Sequence, residues 1–414
     1  MTVIILSSTD GNKTPYDLWF PNAKENIILF CPVEKEHTFN SQHFLLIEAF
    51  ENYMDNVEVE TKAIQLSKKY NITNVLSISE FDVVRSAWLR EILHCPGQSL
   101  MSAESYRNKI LMKQLLYDSS VNIPKFEKVI SKTQVEKFIQ QTSYPVVLKP
   151  IYGSGSMDVY IIKNQQDIDA FFEKNRNINN YEIEEFINGE MYHVDGLIQN
   201  HEVIVSYVSK YYKGCLEFQE NQPLSSFMIE EKNSINKILK AQAEKVIDTL
   251  PSSPNGSFHA EFFVTNSGEV YFCEIGSRTG GAEIGKVIQN STNIHLNKES
   301  LYLQMFEEHT ISIPQEPVER YSGFVLIPPQ RGVYKGIKKN LDFDWVVAIK
   351  IIAKKNKTYN DAQLSVDHII SVVIEGNSEK ELISRINIVN EWYDKNVIWE
   401  HHQWNKGVFI EKFT

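Results

Sequence analysis

The stretch FHAEFFVTNSGEVYFCEIGSRTGG, residues 258–281, predicts a β-hairpin with an acidic residue on each strand. Its two β-prone runs, AEFFVT and VYFCEI, are separated by Asn266-Ser267-Gly268, whose residue types are typical of a tight turn. Gly268 can adopt the positive φ that such turns require. Arg278 follows the second strand in a glycine-rich turn, where it would place a positive charge beside the two acids.

The two acidic residues are Glu261 and Glu274, and the register of the hairpin decides whether they meet. A two-residue loop at Ser267-Gly268 places Thr265 opposite Val270. The same register places Glu261 opposite Glu274, where like charges repel because opposed Cβ atoms are only about 4.5–5.5 Å apart. A divalent cation would remove this repulsion, and Mg²⁺ commonly binds one or two carboxylates together with waters and nucleotide phosphates. An exposed hairpin with two solvated acids is the alternative, because a one-residue slip sends one of them to the other face.

The composition is that of a globular protein with two or three domains, since 42% of the 414 residues are hydrophobic and 23% are charged. The net charge is 42 − 53 = −11, which argues against nucleic-acid binding. The N-terminal run MTVIILSSTDG has no basic segment and is too short to span a membrane, so we expect a cytoplasmic protein without a membrane partner. The cysteines form no CxxC pair and therefore indicate reduced thiols rather than zinc or disulfides; they are Cys31, Cys95, Cys215 and Cys273.

Residues 1 to about 100 predict a small, doubly wound α/β domain. Three runs, TVIILSS, NIILFCP and NVLSISE, have the composition of buried parallel strands, and helix-spaced apolar residues mark 41–54 and 81–94. Ligands of such sheets bind beyond the carboxyl ends of the strands, so Ser79-Glu80-Phe81 would face a crevice. Ser79 could equally be the N-cap of the helix that follows.

Two segments with lysines come next in the chain. Residues 104–119 predict one helix, in which Lys109 and Lys113 are four positions apart and share a face. The run YPVVLKP predicts a buried strand that ends in Lys149 and leads into the loop Gly153-Ser-Gly-Ser156. Such a loop can bind phosphate oxygens through its N–H groups and hydroxyls, although a GSGS sequence by itself is also an ordinary turn. It has neither the spacing of a P-loop nor that of a Rossmann fingerprint.

The segment YEIEEFINGE, residues 181–190, predicts a strand followed by a short connection and a further hairpin. Glu184 and Glu185 lie at the end of this strand. An acidic side chain there can accept a hydrogen bond from an adenine amino group while backbone groups bind the edge of the ring. Taken singly, either residue is also compatible with a solvated strand end.

The order of these pieces resembles the ATP-grasp superfamily over roughly residues 100–310: a lysine-bearing helix, YPVVLKP, a GSG loop, IEEFINGE and the HAEFF…YFCEIGSR hairpin. The earlier run SISEFDVVRSAWLREILHCPGQS resembles the pre-ATP-grasp domain of the carboxylate–amine ligases. Among these, the chain is similar to the L-amino-acid ligases, which join two unprotected amino acids into a dipeptide. The resemblance implies an ATP-grasp fold of α/β and α+β class, with a doubly wound pre-ATP-grasp α/β domain at 1–103, a nucleotide-binding region at 104–310 and an α+β cap at 311–414.

The resemblance also implies roles for individual residues. ATP would be bound by Lys109 and Lys149 at the phosphates, by the covering loop of Gly153, Ser154, Gly155 and Ser156, by Glu184, Glu185 and Ile187 at the adenine, and by His193 near the ribose. Glu261 and Glu274 would bridge one or two Mg²⁺ ions, for which Mn²⁺ could substitute. Arg278 would steady the transferred phosphate and would act in catalysis together with Lys149. Three further candidates would bind substrate: His259, Glu283 and Arg331.

One position departs from the family pattern, since Gly276 stands where many relatives have an asparagine that binds one Mg²⁺. Water or Ser277 could replace that ligand. The implied reaction is transfer of the γ-phosphoryl group of ATP to a carboxylate, followed by attack of an amine on the acyl-phosphate. The acidic composition is compatible with a basic amino acid, such as arginine, as one small-molecule substrate, and the family's frequent dimers make a homodimer a further expectation. The alternatives are another ATP-grasp carboxylate–amine ligase, a biotin-type carboxylase, and a degenerate ATP-binding module, which Gly276 would favour.

Overall fold

The computed structural model of the protein describes residues 1–401 except 214–217, 219–220, 252–254, 307, 314–317, 363 and 365–366. The predicted thiol at Cys215 therefore lies outside the described residues. Cys31, Cys95 and Cys273 are free thiols, as the scattered spacing predicts.

The first sheet is parallel, with the strand order β3-β2-β1-β4. Its central strands are buried on both faces, since Val3 and Ile5 pack into one apolar cluster and Ile4 and Leu6 into another. The three predicted strands are confirmed, and a fourth, β3, lies within the segment 41–54 for which a helix was predicted. That prediction was wrong because periodicity cannot distinguish a short, continuous apolar run in a helix from one in a buried strand. The strands are β1 (Thr2–Leu6), β2 (Ile27–Pro32), β3 (Leu46–Phe50) and β4 (Ile72–Ser77).

Helices and helical turns cover this sheet. The helix predicted at 81–94 is confirmed as α5, which ends at His94 in the left-handed conformation. Asp82, not Ser79, occupies the position before its first turn. The helices are α1 (Tyr16–Trp19), α2 (Ala23–Asn26), α3 (Val33–Glu36), α4 (Glu58–Ser67), α5 (Val83–Leu93) and α6 (Leu100–Ser105).

The single helix predicted at 104–119 is divided into two. Helix α6 ends at Ser105, and α7 (Lys109–Leu116) begins after Asn108. The Asn108 side chain accepts hydrogen bonds from the N–H groups of Ile110 and Leu111 (both 3.1 Å), so it caps α7 and fixes where that helix starts. The apolar periodicity continues through this break and therefore concealed it.

A second, antiparallel sheet has the strand order β5-β8-β6-β7. It packs its apolar face against two amphipathic helices around a core that includes Val146, Leu148 and Ile183. The polar face of β8 carries Glu182 and Glu184, because alternate side chains point to the same side. The elements are β5 (Phe126–Lys128), α8 (Lys132–Thr142), β6 (Val146–Pro150), β7 (Tyr160–Ile162), α9 (Gln165–Lys174) and β8 (Tyr181–Glu185).

The largest sheet is antiparallel, with eight strands in the order β13-β12-β9-β10-β11-β14-β18-β16. It continues across the boundary predicted at residue 310, because β14 pairs with β11; the domain limits themselves stay a prediction. A small sheet, β17-β15-β19, lies beside it. The strands of these two sheets are β9 (Gly189–Gln199), β10 (Glu202–Lys213), β11 (Leu224–Met228), β12 (Asn255–Thr265), β13 (Val270–Gly276), β14 (Tyr321–Ile327), β15 (Gly332–Ile337), β16 (Val346–Ile351), β17 (Thr358–Tyr359), β18 (Ile370–Gly376) and β19 (Val397–Glu400). The helices that accompany these strands are α10 (Ser234–Thr249), α11 (Ile284–Thr292), α12 (Leu296–Met305) and α13 (Glu379–Asn396).

The β12–β13 hairpin confirms the predicted pairing of Glu261 with Glu274. The predicted pairing of Thr265 with Val270 is wrong, since Val270 pairs with Val264. The register shifts by one residue between Glu261 and Phe262, which is the signature of a β-bulge on the opposite strand. The longer turn and the bulge offset each other, and the two carboxylates still meet.

Candidate active site

Elements of the second sheet and of the largest sheet converge around Lys109, at the start of α7. Its Nζ atom lies 2.9 Å from Oε2 of Glu274 on β13. The same atom donates a 2.6 Å hydrogen bond to the carbonyl oxygen of Gly153, in the loop after β6. Lys109 is 6% exposed, so one buried cation joins the hairpin acid to the loop predicted to cover the phosphates.

A second buried cluster lies where α7 faces β6 and β8. The Nζ atom of Lys113 lies 2.6 Å from Glu182 and 2.8 Å from Glu184, and Nζ of Lys149 lies 2.6 Å from Glu184. Lys113 and Glu182 are fully buried. Burial alone would raise the pKa of Glu184, but the charges of Lys113 and Lys149 outweigh it and lower that pKa. Two cations and two carboxylates thus balance each other in the interior.

The cluster combines predicted residues with two that the sequence reasoning did not assign. Lys149 and Glu184 are predicted ATP ligands, and they contact each other. Lys113 and Glu182 had no assigned role, although Glu182 lies two positions before Glu184 and therefore shares its face of the strand. Within the described part of the chain, the Oε2 atom of Glu182 is buried without a hydrogen-bond partner. This face of the strand therefore still offers an acceptor.

The loop that carries Gly153, Ser154, Gly155 and Ser156 connects β6 and β7 and is partly exposed. Gly155 (φ 61°) and Ser156 (φ 59°) both adopt the left-handed conformation, which favours glycine and costs energy for serine. Successive backbone N–H groups in a turn can form a concave site for an anion. The loop therefore has a geometry suited to binding phosphate oxygens.

The predicted adenine residues lie at the end of β8. Glu185 and Ile187 are half-buried. The N–H group of Glu185 donates to the carbonyl oxygen of Lys125 (2.9 Å), so this group is already engaged within the sheet. A contact between Glu185 and an adenine ring would thus use its carbonyl group or its side chain.

His193 and His259 are buried on adjacent strands, on either side of Asp195. The Oδ2 atom of Asp195 lies 2.5 Å from Nδ1 of His193, and its Oδ1 atom lies 2.8 Å from Nδ1 of His259. The Nε2 atom of His193 lies 2.8 Å from the hydroxyl oxygen of Ser226. Both ring nitrogens of His193 thus have protein partners, and its predicted ribose contact stays a prediction that would need one of them to move.

Asp195 also controls the charge of His259. Burial alone would lower the pKa of His259, but the neighbouring Asp195 carboxylate outweighs it and raises that pKa to about 9. The pKa of Asp195 moves in the opposite direction, well below its usual range, because the two histidines outweigh the effect of its burial. A protonated His259 then faces Glu261, whose Oε1 atom lies 3.3 Å from Nε2 of His259.

The paired carboxylates of Glu261 and Glu274 fit a hard divalent cation. They face each other across the hairpin, and Oε1 of Glu261 also accepts a 3.0 Å hydrogen bond from the hydroxyl of Tyr211. Burial would raise the pKa of Glu274, but Lys109, Lys149 and Arg278 hold it well below the usual range for a carboxyl group. Two carboxylates supply the oxygen ligands that Mg²⁺ prefers. Gly276 contributes no side chain, as the sequence indicates.

Arg278 is half-buried beside the hairpin and pairs with Glu80, which follows strand β4 of the first sheet. Arg107 pairs with the other oxygen of the same carboxylate and donates to the carbonyl oxygen of Tyr152 (2.8 Å). Burial would raise the pKa of Glu80, but Arg278 and Arg107 outweigh it and lower that pKa. The prediction that Ser79-Glu80-Phe81 reaches a crevice is thus confirmed for Glu80, whereas Phe81 is half exposed.

The pocket at this point is small and charged. The described residues that line it are Glu80, Tyr106, Arg107, Lys109, Met112, His259, Glu274, Ile275, Gly276 and Arg278. Glu283 and Arg331 are not among them. Glu283 is half-buried immediately before α11, and Arg331 is exposed with its carbonyl oxygen 3.1 Å from His401. Their predicted contacts with substrate stay predictions.

Gly280 closes one side of the Asp195–His259 contact, and we expect its replacement by alanine to be destabilising. A Cβ atom there would lie 2.5 Å from Oδ1 of Asp195 and 2.8 Å from Nδ1 of His259. Overpacking of this kind costs about 1–3 kcal/mol, which urea denaturation would measure. The matched control is Gly281→Ala, because a Cβ atom at that position meets no atom within 4 Å. Equal stability of the two variants would contradict this packing.

The chain is similar to known proteins in sequence and in fold. Residues 142–286 match the model of the ATP-grasp domain. The L-arginine-specific L-amino acid ligase of Bacillus subtilis is 21% identical over 367 residues, 84% of this chain and 86% of that protein. Dapdiamide A synthase of Enterobacter agglomerans is 28% identical over 252 residues, 56% of each chain. The crystal structure of an L-amino acid ligase from Bacillus licheniformis superposes with a TM-score of 0.77 at 18% identity, over 97% of this chain and 99% of that one.

The fold and the matched domain define the class: residues 142–286 carry an ATP-grasp domain, in a chain that has the ATP-grasp fold. Within that class it is similar to the ATP-dependent carboxylate–amine ligases, among them the L-amino acid ligases. Such enzymes act on small-molecule substrates. In the described part of the chain, no helix combines the length and apolar character that crossing a bilayer requires.

Proposed function

We propose that the protein uses ATP to join two amino acids through a peptide bond. The observation that carries this proposal is one charged pocket in which Glu274, the cross-strand partner of Glu261, lies with Lys109 and Arg278. Similarity to two ligases that form amide bonds, the L-arginine-specific enzyme and the Bacillus licheniformis enzyme, supports amino acids as substrates. The arginine specificity of the Bacillus subtilis enzyme makes arginine a candidate for one of them.

We assign the nucleotide to the space between the second sheet and the largest sheet. Lys109 and Lys149 would bind the phosphates, and residues 153–156 would close over them. Glu184 would accept a hydrogen bond from the adenine amino group, with Glu185 and Ile187 at the ring edge. Glu261 and Glu274 would hold Mg²⁺, which supplies positive charge at the transferred phosphoryl group when it is bound.

The reaction would occur in two steps. A carboxylate oxygen of the first amino acid forms a bond to the γ-phosphorus of ATP, while the bond from that phosphorus to the β,γ-bridging oxygen breaks and ADP leaves. The amino nitrogen of the second amino acid then attacks the acyl carbon; inorganic phosphate departs and the nitrogen loses a proton. Arg278 and Lys149 would stabilise the negative charge that develops on the phosphoryl oxygens, and exclusion of water would protect the acyl-phosphate.

This function predicts phosphate release that depends on amino acids. Purified protein with ATP and Mg²⁺ would be assayed against the twenty amino acids singly and in pairs, with mass spectrometry of the products. We expect ADP, phosphate and a product whose mass is the sum of two substrates minus water, with arginine among the first to be tested. Phosphate release with a different acid would indicate another carboxylate–amine ligase.

A nucleotide-binding module without activity is the second candidate, and it rests on Gly276. An asparagine ligand to one Mg²⁺ is missing there, and two carboxylates remain in the described part of the hairpin. Tight ATP binding without turnover in any of these assays would favour this candidate. Turnover with any acid would exclude it.

A further inference from the structure

The Glu80 carboxylate is brought into the ATP-grasp site by a different sheet. It lies on the loop between β4 and α5, and its side chain is 13% exposed. One of its oxygens pairs with Nε of Arg278 and the other with Nη1 of Arg107. A carboxylate that contacts the arginine assigned to the acyl-phosphate lies next to the reacting carboxyl group of a bound substrate.

Gly276 leaves room beside this pair. A Cβ atom at residue 276 would lie 3.4 Å from Oε2 of Glu80 and 3.6 Å from Nε of Arg278, which is ordinary van der Waals contact. The absence of a side chain at residue 276 leaves space beside both the anion of Glu80 and the cation of Arg278.

An amino acid matches this pair of charges. Its carboxylate and its α-ammonium group are separated by one carbon atom, so an anchor for each must lie close together. We infer that Glu80 binds the α-ammonium group of the amino acid whose carboxylate is phosphorylated, while Arg278 binds that carboxylate. The inference rests on the proposed function and adds to it the residue that selects an α-amino acid as the acyl donor.

The other carboxylates near the pocket have different partners. Glu274 pairs with Lys109 and is assigned to the metal, and Asp195 is held between two histidines. Glu80 has two arginine partners, but an ionised carboxylate offers about four lone-pair sites. Two of these sites remain for N–H groups of an ammonium ion, and the arginines keep the carboxylate charged.

The test compares an amino acid with its analogue that lacks the α-amino group. For Glu80→Gln, we expect the KM of the donor amino acid to rise about 10- to 100-fold, the range for a lost hydrogen bond to a charged group. The inhibition constant of the analogue, measured against the same amino acid, should stay unchanged, because the analogue has no ammonium group. Alanine and propionate are such a pair if alanine is a donor.

Two outcomes would overturn the assignment. If the KM of the amino acid and the inhibition constant of the analogue rise by the same factor, Glu80 only positions Arg278. If neither constant changes, Glu80 does not face the substrate. The control is Glu104→Gln, whose carboxylate accepts from the Tyr152 hydroxyl (3.1 Å) outside the pocket lining. An unchanged KM for ATP in Glu80→Gln would show that the variant is folded. Absence of amino-acid-dependent phosphate release in the unmodified protein is a separate result, which would refute the proposed function itself.

Discussion

Replacement of Glu274 by glutamine should reduce ATP turnover on the order of 10²- to 10³-fold, the range for loss of one preorganised electrostatic contact in a transition state. Glutamine preserves the size of the side chain but removes the negative charge opposite Glu261, so Mg²⁺ would be held more weakly. The lysines that bind the phosphates are unchanged, and nucleotide binding should persist. Steady-state phosphate release and fluorescence titration with an ATP analogue would measure the two properties separately.

The control for this variant lies on the same hairpin. Glu269 is exposed near its tip, and its carboxylate accepts a hydrogen bond from the Ser267 hydroxyl (2.9 Å). Glu269→Gln removes the same charge from the same hairpin, remote from the metal carboxylates, and should leave turnover unchanged. Full activity in Glu274→Gln would contradict the assignment of this pair to the metal.

Replacement of Lys113 by methionine should give the largest loss of stability. The substitution leaves Glu182 and Glu184 with Lys149 as the remaining cation of a fully buried cluster. Removal of one partner from a buried ion pair costs about 3–5 kcal/mol, because the other charge is left uncompensated. Urea denaturation at neutral pH would measure the change in the free energy of unfolding.

Two further variants make this prediction specific. Lys132→Met breaks an ion pair with Asp169 (2.7 Å) in which both side chains are 44–47% exposed, and it should not change the unfolding midpoint measurably. Adding Glu182→Leu to Lys113→Met removes the uncompensated carboxylate and should restore much of the lost stability. Equal destabilisation by the buried and exposed lysine substitutions would mean that burial does not set the cost.

The sequence was most informative where one local pattern determined the contact. The pairing of Glu261 with Glu274 follows from two β-prone runs and a turn, although the turn itself is longer than predicted. The bulge that restores the register has no sequence signal, since neither Cys273 nor its neighbours are residues that force one. Local rules therefore predicted the pairing of Glu261 with Glu274, but they did not predict the longer turn and the β-bulge that produce this register.

Contacts between distant segments could not be predicted. Glu80 and Arg107 meet Arg278 because the first sheet packs against the ATP-grasp elements, and this depends on the whole fold. Lys113 was visible on the same helix face as Lys109, but its burial depends on Glu182 and Glu184 on a strand about seventy residues later. The helix break at Asn108 had a local signal, an N-cap residue, which the continuous apolar periodicity concealed.

Gly276 links the departure from the family pattern to the question of specificity. The resemblance identifies it as a missing metal ligand, whereas the structure places it next to Glu80 and Arg278. The same substitution that removes an amide from the metal site thus leaves space in contact with both charges proposed to bind an amino acid.

The proposed reaction requires a carboxylate oxygen to attack the γ-phosphorus of ATP, and an isotope label can follow that oxygen into the product. A donor amino acid identified by phosphate release would be labelled with ¹⁸O in its carboxyl group and incubated with the protein, ATP, Mg²⁺ and the second amino acid. We expect each inorganic phosphate released to carry one ¹⁸O atom and ADP to be the nucleotide product. Unlabelled phosphate, or AMP that carries the label, would contradict it.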